Sequence, residues 1–540
     1  MMHGVKKSFF AWFIAHGFRG RAWRKVYGFA SRKIRVSRGQ RHTPLLHVTG
    51  LMLPPLSART GLLSSGCAVI FLTLLAMQTP VCQAGEHPLG GALPGDQDHP
   101  AASITASGGY LVWEDNRVEG GKSGSGIAAT GLDSNFAVTG SVFRVNHQPA
   151  GNQEKPQVLR LNNGGTLFAW GQRQASKPGV YVRLMDANGK FATGDLLVNT
   201  PNWLSSLTRT TNWYAFSRNT YKLRKYKFRE KILNVREQAG GVALGALPDG
   251  GAVVTYHAVR RAETNTWCIV TNEVWVGSKY VRKTPLKRLV LADDWMHDVF
   301  FQRLDAEGRK IGPEVMVNQY ASYNQRNPAV AVLSDGRFIV VWVSEYPASA
   351  NWRHNFRVAL YGRLFNAQGE PVGDEFSMAA GDELIQANPS VAPLPGGGFT
   401  VFWSQQEGTT SRRWDVYARN FGVDATASGP AFRVNDYTTG DQFGPRVAAQ
   451  GDNQFVAWTS VGQDGSREGV YGRLLVAGAL AGEEFRVNTT TVSRQVHPAV
   501  AADGQGRFLS VWAGFTGESG LDLFGDIYST AGSAAGGTSR

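Results

Sequence analysis

The stretch Pro328-Ala329-Val330-Ala331-Val332-Leu333-Ser334-Asp335-Gly336-Arg337-Phe338-Ile339-Val340-Val341-Trp342 decides the fold. Two short apolar runs flank a Gly-containing turn, which reads as two strands joined by a hairpin. The second run is apolar at every position, so that strand is covered on both faces. Further on, Ala359-Leu360-Tyr361-Gly362-Arg363-Leu364-Phe365 reads as a third strand, Asn366-Ala367-Gln368-Gly369 as another turn and Phe376-Ser377-Met378 as a fourth strand.

These parts recur along the chain. An apolar run ending in Trp returns at Trp113, Trp170, Trp342, Trp403, Trp458 and Trp512, and Tyr256 stands in the gap between the second and third. The intervals are 57, 86, 86, 61, 55 and 54 residues, which makes seven units with long intervals on both sides of the third. Gln97, Gln153, Gln325, Gln386, Gln442 and Gln495 each stand three residues before a Pro, and Gln238 holds that place in the third unit. An aromatic-x-Arg pair marks the third strand at Tyr181/Arg183, Phe301/Arg303, Tyr361/Arg363, Tyr417/Arg419 and Tyr471/Arg473. Repetition in so many units points to structural duties, the glutamines bonding backbone groups and the arginines tying units together.

A four-stranded unit of about 55 residues cannot bury its own faces, but such sheets stacked around an axis can. The expected fold is all-β: a seven-bladed β-propeller of four-stranded blades over 85–530. The last unit lacks a fourth strand before the Gly/Ala/Ser tail 531–540, so residues near Glu86 to Leu93 are expected to complete it.

Phe143-Arg144-Val145-Asn146, Phe432-Arg433-Val434-Asn435 and Phe485-Arg486-Val487-Asn488, with the Pro-Ala-Val-Ala and Gly-Val-Tyr-Gly-Arg segments, resemble repeats of secreted bacterial β-propeller-like proteins. The resemblance spans about 95–530 and departs in the third unit. It implies an exported bacterial protein and very little chemistry.

Composition agrees with export. The net charge is +14, but residues 1–84 hold twelve Lys or Arg and no Asp or Glu, so the other 456 residues carry only +2. Cys67 to Met77 has the length of a signal-peptide apolar core, and Cys82 and Ala84 suit a cut before Gly85. Residues 1–84 are therefore expected to be a cleaved leader, with Met52 as an alternative start, and the mature protein to be secreted or periplasmic and monomeric, with no membrane or nucleic-acid partner. Only Cys268 would survive cleavage, which leaves no internal disulfide.

Function is expected on one face. The loop from Asn199 to Gln238 exceeds its counterparts by 32 residues, and Tyr256 to Arg303 spans 47 where other units take 13 to 21. Both insertions, 200–237 and 259–298, emerge from the third unit on the same side. The first carries nine Lys or Arg against Glu230 and Glu237, interleaved with aromatics. The expected binding residues are Trp203, Trp213, Tyr214, Tyr221, Arg224, Lys225, Trp267 and Trp275, and the expected partner is an acidic glycan or a surface protein. His99, His147, His257, His297, His354 and His497 fall in loops of that face or at its edge. The alternative is a polysaccharide lyase or hydrolase, for which His257, His297, His354, Tyr256 and Arg260 are the candidate catalytic residues. No H-E-x-x-H, paired-cysteine, G-x-S-x-G or phosphate-loop pattern is present, and neither a metal nor a cofactor is expected.

Overall fold

The computed structural model describes residues 82–83, 85–91, 93–120, 124–173, 177–200, 206–216, 223–233, 239–259, 266–270, 273–276, 279–282, 286–290, 297–320, 324–347, 356–378, 385–406, 413–517 and 520–530. For residues 82–83, 259, 346–347, 356 and those within 206–233 and 266–290, it gives the backbone course alone. No helix occurs among the described residues.

Each repeat unit forms an antiparallel sheet. The first takes Gln97–Thr105, Gly108–Asp115, Gly126–Leu132 and Val138–Arg144 in chain order. In the third, Ala239–Ala246, Ala252–Val259, His297–Leu304 and Lys310–Met316 pair in sequence, so the long insertion leaves the sheet order unchanged. Among the described residues a single parallel bridge, Val358 to Ile385, links the fourth sheet to the fifth. In the last unit the missing strand is supplied from the other end of the chain. His87–Pro88 pairs with Leu521–Ser529, Leu89 is buried there, and the Glu86 carboxylate accepts the Thr490 amide at 2.7 Å.

The cores lie between sheets. Trp113, Trp170, Trp342, Trp403, Trp458 and Trp512 are fully buried. One apolar cluster joins the second and third units through Leu167, Val182, Val254 and Tyr256. Another joins the fourth and fifth through Val341, Leu360, Val401 and Trp403. A further one joins the last unit to the first through Leu509, Val511, Leu111 and Trp113.

The recurrent polar residues fasten this arrangement. All six described glutamines of the series are buried: Gln386 Oε1 accepts the Leu360 amide at 2.9 Å, and Gln325 Oε1 accepts the Trp342 indole N–H at 3.1 Å. Arg183, Arg363, Arg419 and Arg473 each donate an Nη1 bond to the carbonyl of the residue just after the fourth strand of the preceding unit, at Val145, Val317, Met378 and Val434. Arg303 differs and reaches Gln368 of the following unit.

Candidate functional site

The site begins with a backbone irregularity. The first strand of each unit is bulged just after its glutamine position, for example between Asp98 and Ala101, Arg326 and Ala329, and Val496 and Ala499. Within each bulge one residue is left-handed: His99 (φ 50°), Lys155 (52°), Gly241 (64°), Asn327 (52°), Asn388 (53°), Gly444 (69°) and His497 (55°). Gly and Asn suit that backbone best. A bulge re-aims side chains at the end of a sheet, and here it places two histidines and a lysine at equivalent positions of three units.

The side chain that follows the core aromatic of one unit accepts the bulge N–H of the next. Lys155 N–H donates to Glu114 Oε1 at 2.6 Å, Asn327 N–H to His257 Nδ1 at 3.3 Å and Gly444 N–H to Ser404 Oγ at 2.9 Å. His257 is thus tied to the fourth unit.

His257 and His297 come together at this edge, their ring centroids 5.0 Å apart and nearly perpendicular. The hydrogen bonds assign their protons. Because Asn327 N–H occupies His257 Nδ1, the proton of that imidazole sits on Nε2. Asn324 gives its Nδ2 to Glu345 Oε2 at 2.8 Å, so its Oδ1 faces His297 Nδ1 at 3.3 Å as an acceptor. His297 therefore carries its proton on Nδ1 and keeps a lone pair on Nε2. Burial, followed by the charges of His297, Arg173, Lys155 and Arg326, holds His257 well below the usual imidazole range. His297 is lowered too, by burial first, with Arg326 and Arg173 adding and Asn324 and Glu345 opposing. Arg326 pairs with Glu345, and Arg173 with Glu154 at 3.4 Å. His297 is thus a neutral imidazole with an open lone pair, with the paired Arg326 and Arg173 nearby.

A second cluster lies in the first and last units. His497 Nδ1 is 2.5 Å from Asp98 Oδ1, while His99 Nδ1 is 3.3 Å from Asp98 Oδ2 and 3.5 Å from Glu114 Oε1. The two imidazoles stack with centroids 4.1 Å apart. Lys155 adds its charge to the fields around His99, His497 and His257, so both clusters belong to one neighbourhood.

Of the residues proposed from sequence, the structure brings His257 and His297 together. Tyr256 turns to the opposite side of its strand: it is fully buried in the core between units, and its hydroxyl donates to the Glu314 carboxylate, so it has no part in the histidine site. His147 lies elsewhere, its amide donating to Asp195. Trp203, Tyr221, Arg260 and His354 lie outside the described residues. Trp213 and Tyr214 sit on the strand Ser206–Phe216, and Arg224 and Lys225 on its hairpin partner Leu223–Leu233. Trp267 and Trp275 lie on the strands Thr266–Val270 and Glu273–Val276. Asp98, Glu114, Lys155, Arg173, Asn324, Arg326 and Glu345 were not singled out from sequence. The available signal was the third residue of the Gln-x-x-Pro pattern, which is Asn or Gly in several units and His or Lys in others. A cavity of 430 Å³ lies at the opposite end of the first strands, lined by Asn162, Ala246, Pro248, Leu333, Leu394 and Gln450, and it brings together no chemically active group.

No family model and no curated protein matches the chain. Among solved structures, it is similar to the polysaccharide lyase Uly1, with 10% identity, 82% of this chain and 91% of that one covered, and a TM-score of 0.45. A PL25 ulvan lyase shares 11% identity over 81% of this chain and 95% of its own, with a TM-score of 0.41. The intramolecular trans-sialidase from Ruminococcus gnavus shares 10% identity over 70% of this chain and 95% of its own, with a TM-score of 0.42.

Proposed function

We propose that the protein is an exported, seven-bladed propeller, its ring completed by residues 87–88, and that the mouth beside His297 cleaves an acidic polysaccharide by β-elimination. The observation that carries the reading is the state of His297: neutral, protonated on Nδ1 toward Asn324, and open at Nε2 with Arg326 and Arg173 nearby. Elimination from a uronate needs this combination. Cations lower the cost of charge developing on the carboxylate, and a neutral base removes the proton on the adjacent carbon. Nε2 takes that proton, the freed electron pair forms the carbon–carbon double bond, and the bond to the glycosidic oxygen breaks, with water supplying a proton to the departing oxygen. His257 holds the wall in place through Asn327.

The test is ultraviolet detection of unsaturated uronate from a panel of uronate polymers. The wild type should form it, and His297→Ala should slow its formation by about 10²–10⁴-fold at unchanged melting temperature. Absence of unsaturated product from every polymer, or an unimpaired variant, would overturn the assignment.

A second reading is recognition without turnover, through the hairpin that the third unit inserts. Its strand Leu223–Leu233 alternates Lys225, Lys227, Arg229 and Lys231 with Tyr226, Phe228 and Glu230, a pattern suited to an anionic chain. Retention of uronate polymer with no product formed, abolished by deleting 205–230 from a still-folded protein, would establish this reading.

A further inference from the structure

The cluster of Asp98, His99 and His497 is a place where two units depart from their repeat in the same way. The left-handed slot is filled by Asn327, Asn388, Gly241 and Gly444 in four units, which meets the backbone's need without side-chain chemistry. In the first and last units the same slot holds histidine, and the two imidazoles converge on one carboxylate across the junction between the first and last units. One ligand atom from each of the three residues can be chosen so that all lie within 4.8 Å of one another. Without a cation the geometry is left poorly satisfied. His497 holds one Asp98 oxygen closely, and the buried Nδ1 of His99 has no hydrogen-bond partner of good geometry although two carboxylates stand near it.

We propose that Asp98, His99 and His497 bind a divalent first-row transition-metal ion, with zinc the ion that suits the set best. Two imidazoles and a carboxylate are a common donor set for such ions, at bond lengths of about 2.0–2.2 Å for zinc, and the three ligand atoms already lie within 4.8 Å of one another. Glu114 Oε1, anchored by the Lys155 amide, lies 3.5 Å from the same Nδ1 of His99 and adds a second negative charge beside the ion. Because the ligands come from the first and last units, the ion fastens the two ends of the repeat array. None of its three ligands takes part in the His297 chemistry, so the metal proposal stands or falls without it.

The experiment measures zinc on the purified full chain after chelator treatment and dialysis, by titration and elemental analysis, together with melting temperature. The variants are His99→Asn and His497→Asn, which place in each slot the residue that Asn327 and Asn388 already provide, so the fold should be kept. The wild type should take up one zinc per chain and melt higher as zinc is added, because an ion bound only to the folded state stabilises it by mass action. Each variant should lose that uptake and the thermal shift, Glu114→Gln should bind about 10–100-fold more weakly, and His297→Ala should bind as the wild type does. Zinc uptake that survives both asparagine variants, or that is lost with His297→Ala, would overturn the proposal, as would a wild type that takes up none.

Discussion

His497 Nδ1 lies 2.5 Å from Asp98 Oδ1 although 399 residues separate them in sequence. The pair spans the same junction as the apolar cluster that joins Leu509 and Val511 to Leu111 and Trp113. Asp98→Ala should therefore loosen both ends together. We expect a loss of about 1–3 kcal/mol in urea unfolding, because buried polar partners are left unsatisfied. Amide exchange should quicken in Gln97–Thr105 and Leu521–Ser529. Faster exchange in only one of those strands would contradict a shared junction.

The histidine pair predicts an acid-side loss of stability. Burial, with Arg173 and Arg326 nearby, pushes both His257 and His297 below the ordinary imidazole value of about 6.5; His297 and Lys155 add to the shift at His257, while Asn324 and Glu345 partly oppose it at His297. The folded protein thus holds these groups neutral where the unfolded chain protonates them. Their contribution is complete above pH of about 6.5 and is lost as the pH falls below it toward the folded values. Urea midpoints across that range should fall more steeply for the wild type than for the His257→Gln, His297→Gln double variant. Parallel profiles would remove the assignment.

Gly241 and Gly444 make a matched comparison. Both are left-handed, at φ 64° and 69°. A Cβ on Gly241 would come 2.4 Å from His257 Nδ1, whereas one on Gly444 meets nothing within 4 Å. Gly444→Ala should cost only the backbone strain, about 1–3 kcal/mol, and Gly241→Ala should cost more and, under the proposed function, also slow uronate elimination. Equal losses of stability would show that the His257 ring yields freely.

Arginine of the aromatic-x-Arg pattern should matter where it ties units. Arg473 is 8% exposed and donates to the carbonyls of Val434, in the preceding unit, and Gly482. Arg473→Ala should destabilise by about 1–3 kcal/mol, because two carbonyls lose a charged donor. Arg309, whose side chain is 72% exposed and pairs with Asp305 and Glu307, should leave the melting temperature unchanged when replaced by Ala. A reversed order of the two would refute the inter-unit role.

The sequence by itself determined the repeat. Trp342 and its equivalents, the hairpin glycines and the Gln-x-x-Pro spacing are local features, each dictated by strand periodicity or turn geometry, and they placed the strands and the insertion without knowledge of any contact between units. It also brought His257 and His297 forward, together with His354, Tyr256 and Arg260, since the histidines fall in loops of one face or at its edge. What only the tertiary structure decided is which of these residues meet. Tyr256 and His257 are neighbours in the chain, yet strand alternation sends one into the core against Glu314 and the other to the site. The proton positions depend on Asn324 and Asn327, supplied by the next unit. Asp98 and His497 are joined by stacking of sheets at opposite ends of the chain, and such non-local neighbours leave no trace in local periodicity. The left-handed slot was present in the sequence as Asn, Gly, His and Lys, but its meaning appears only when the bulge turns each of them toward the same edge.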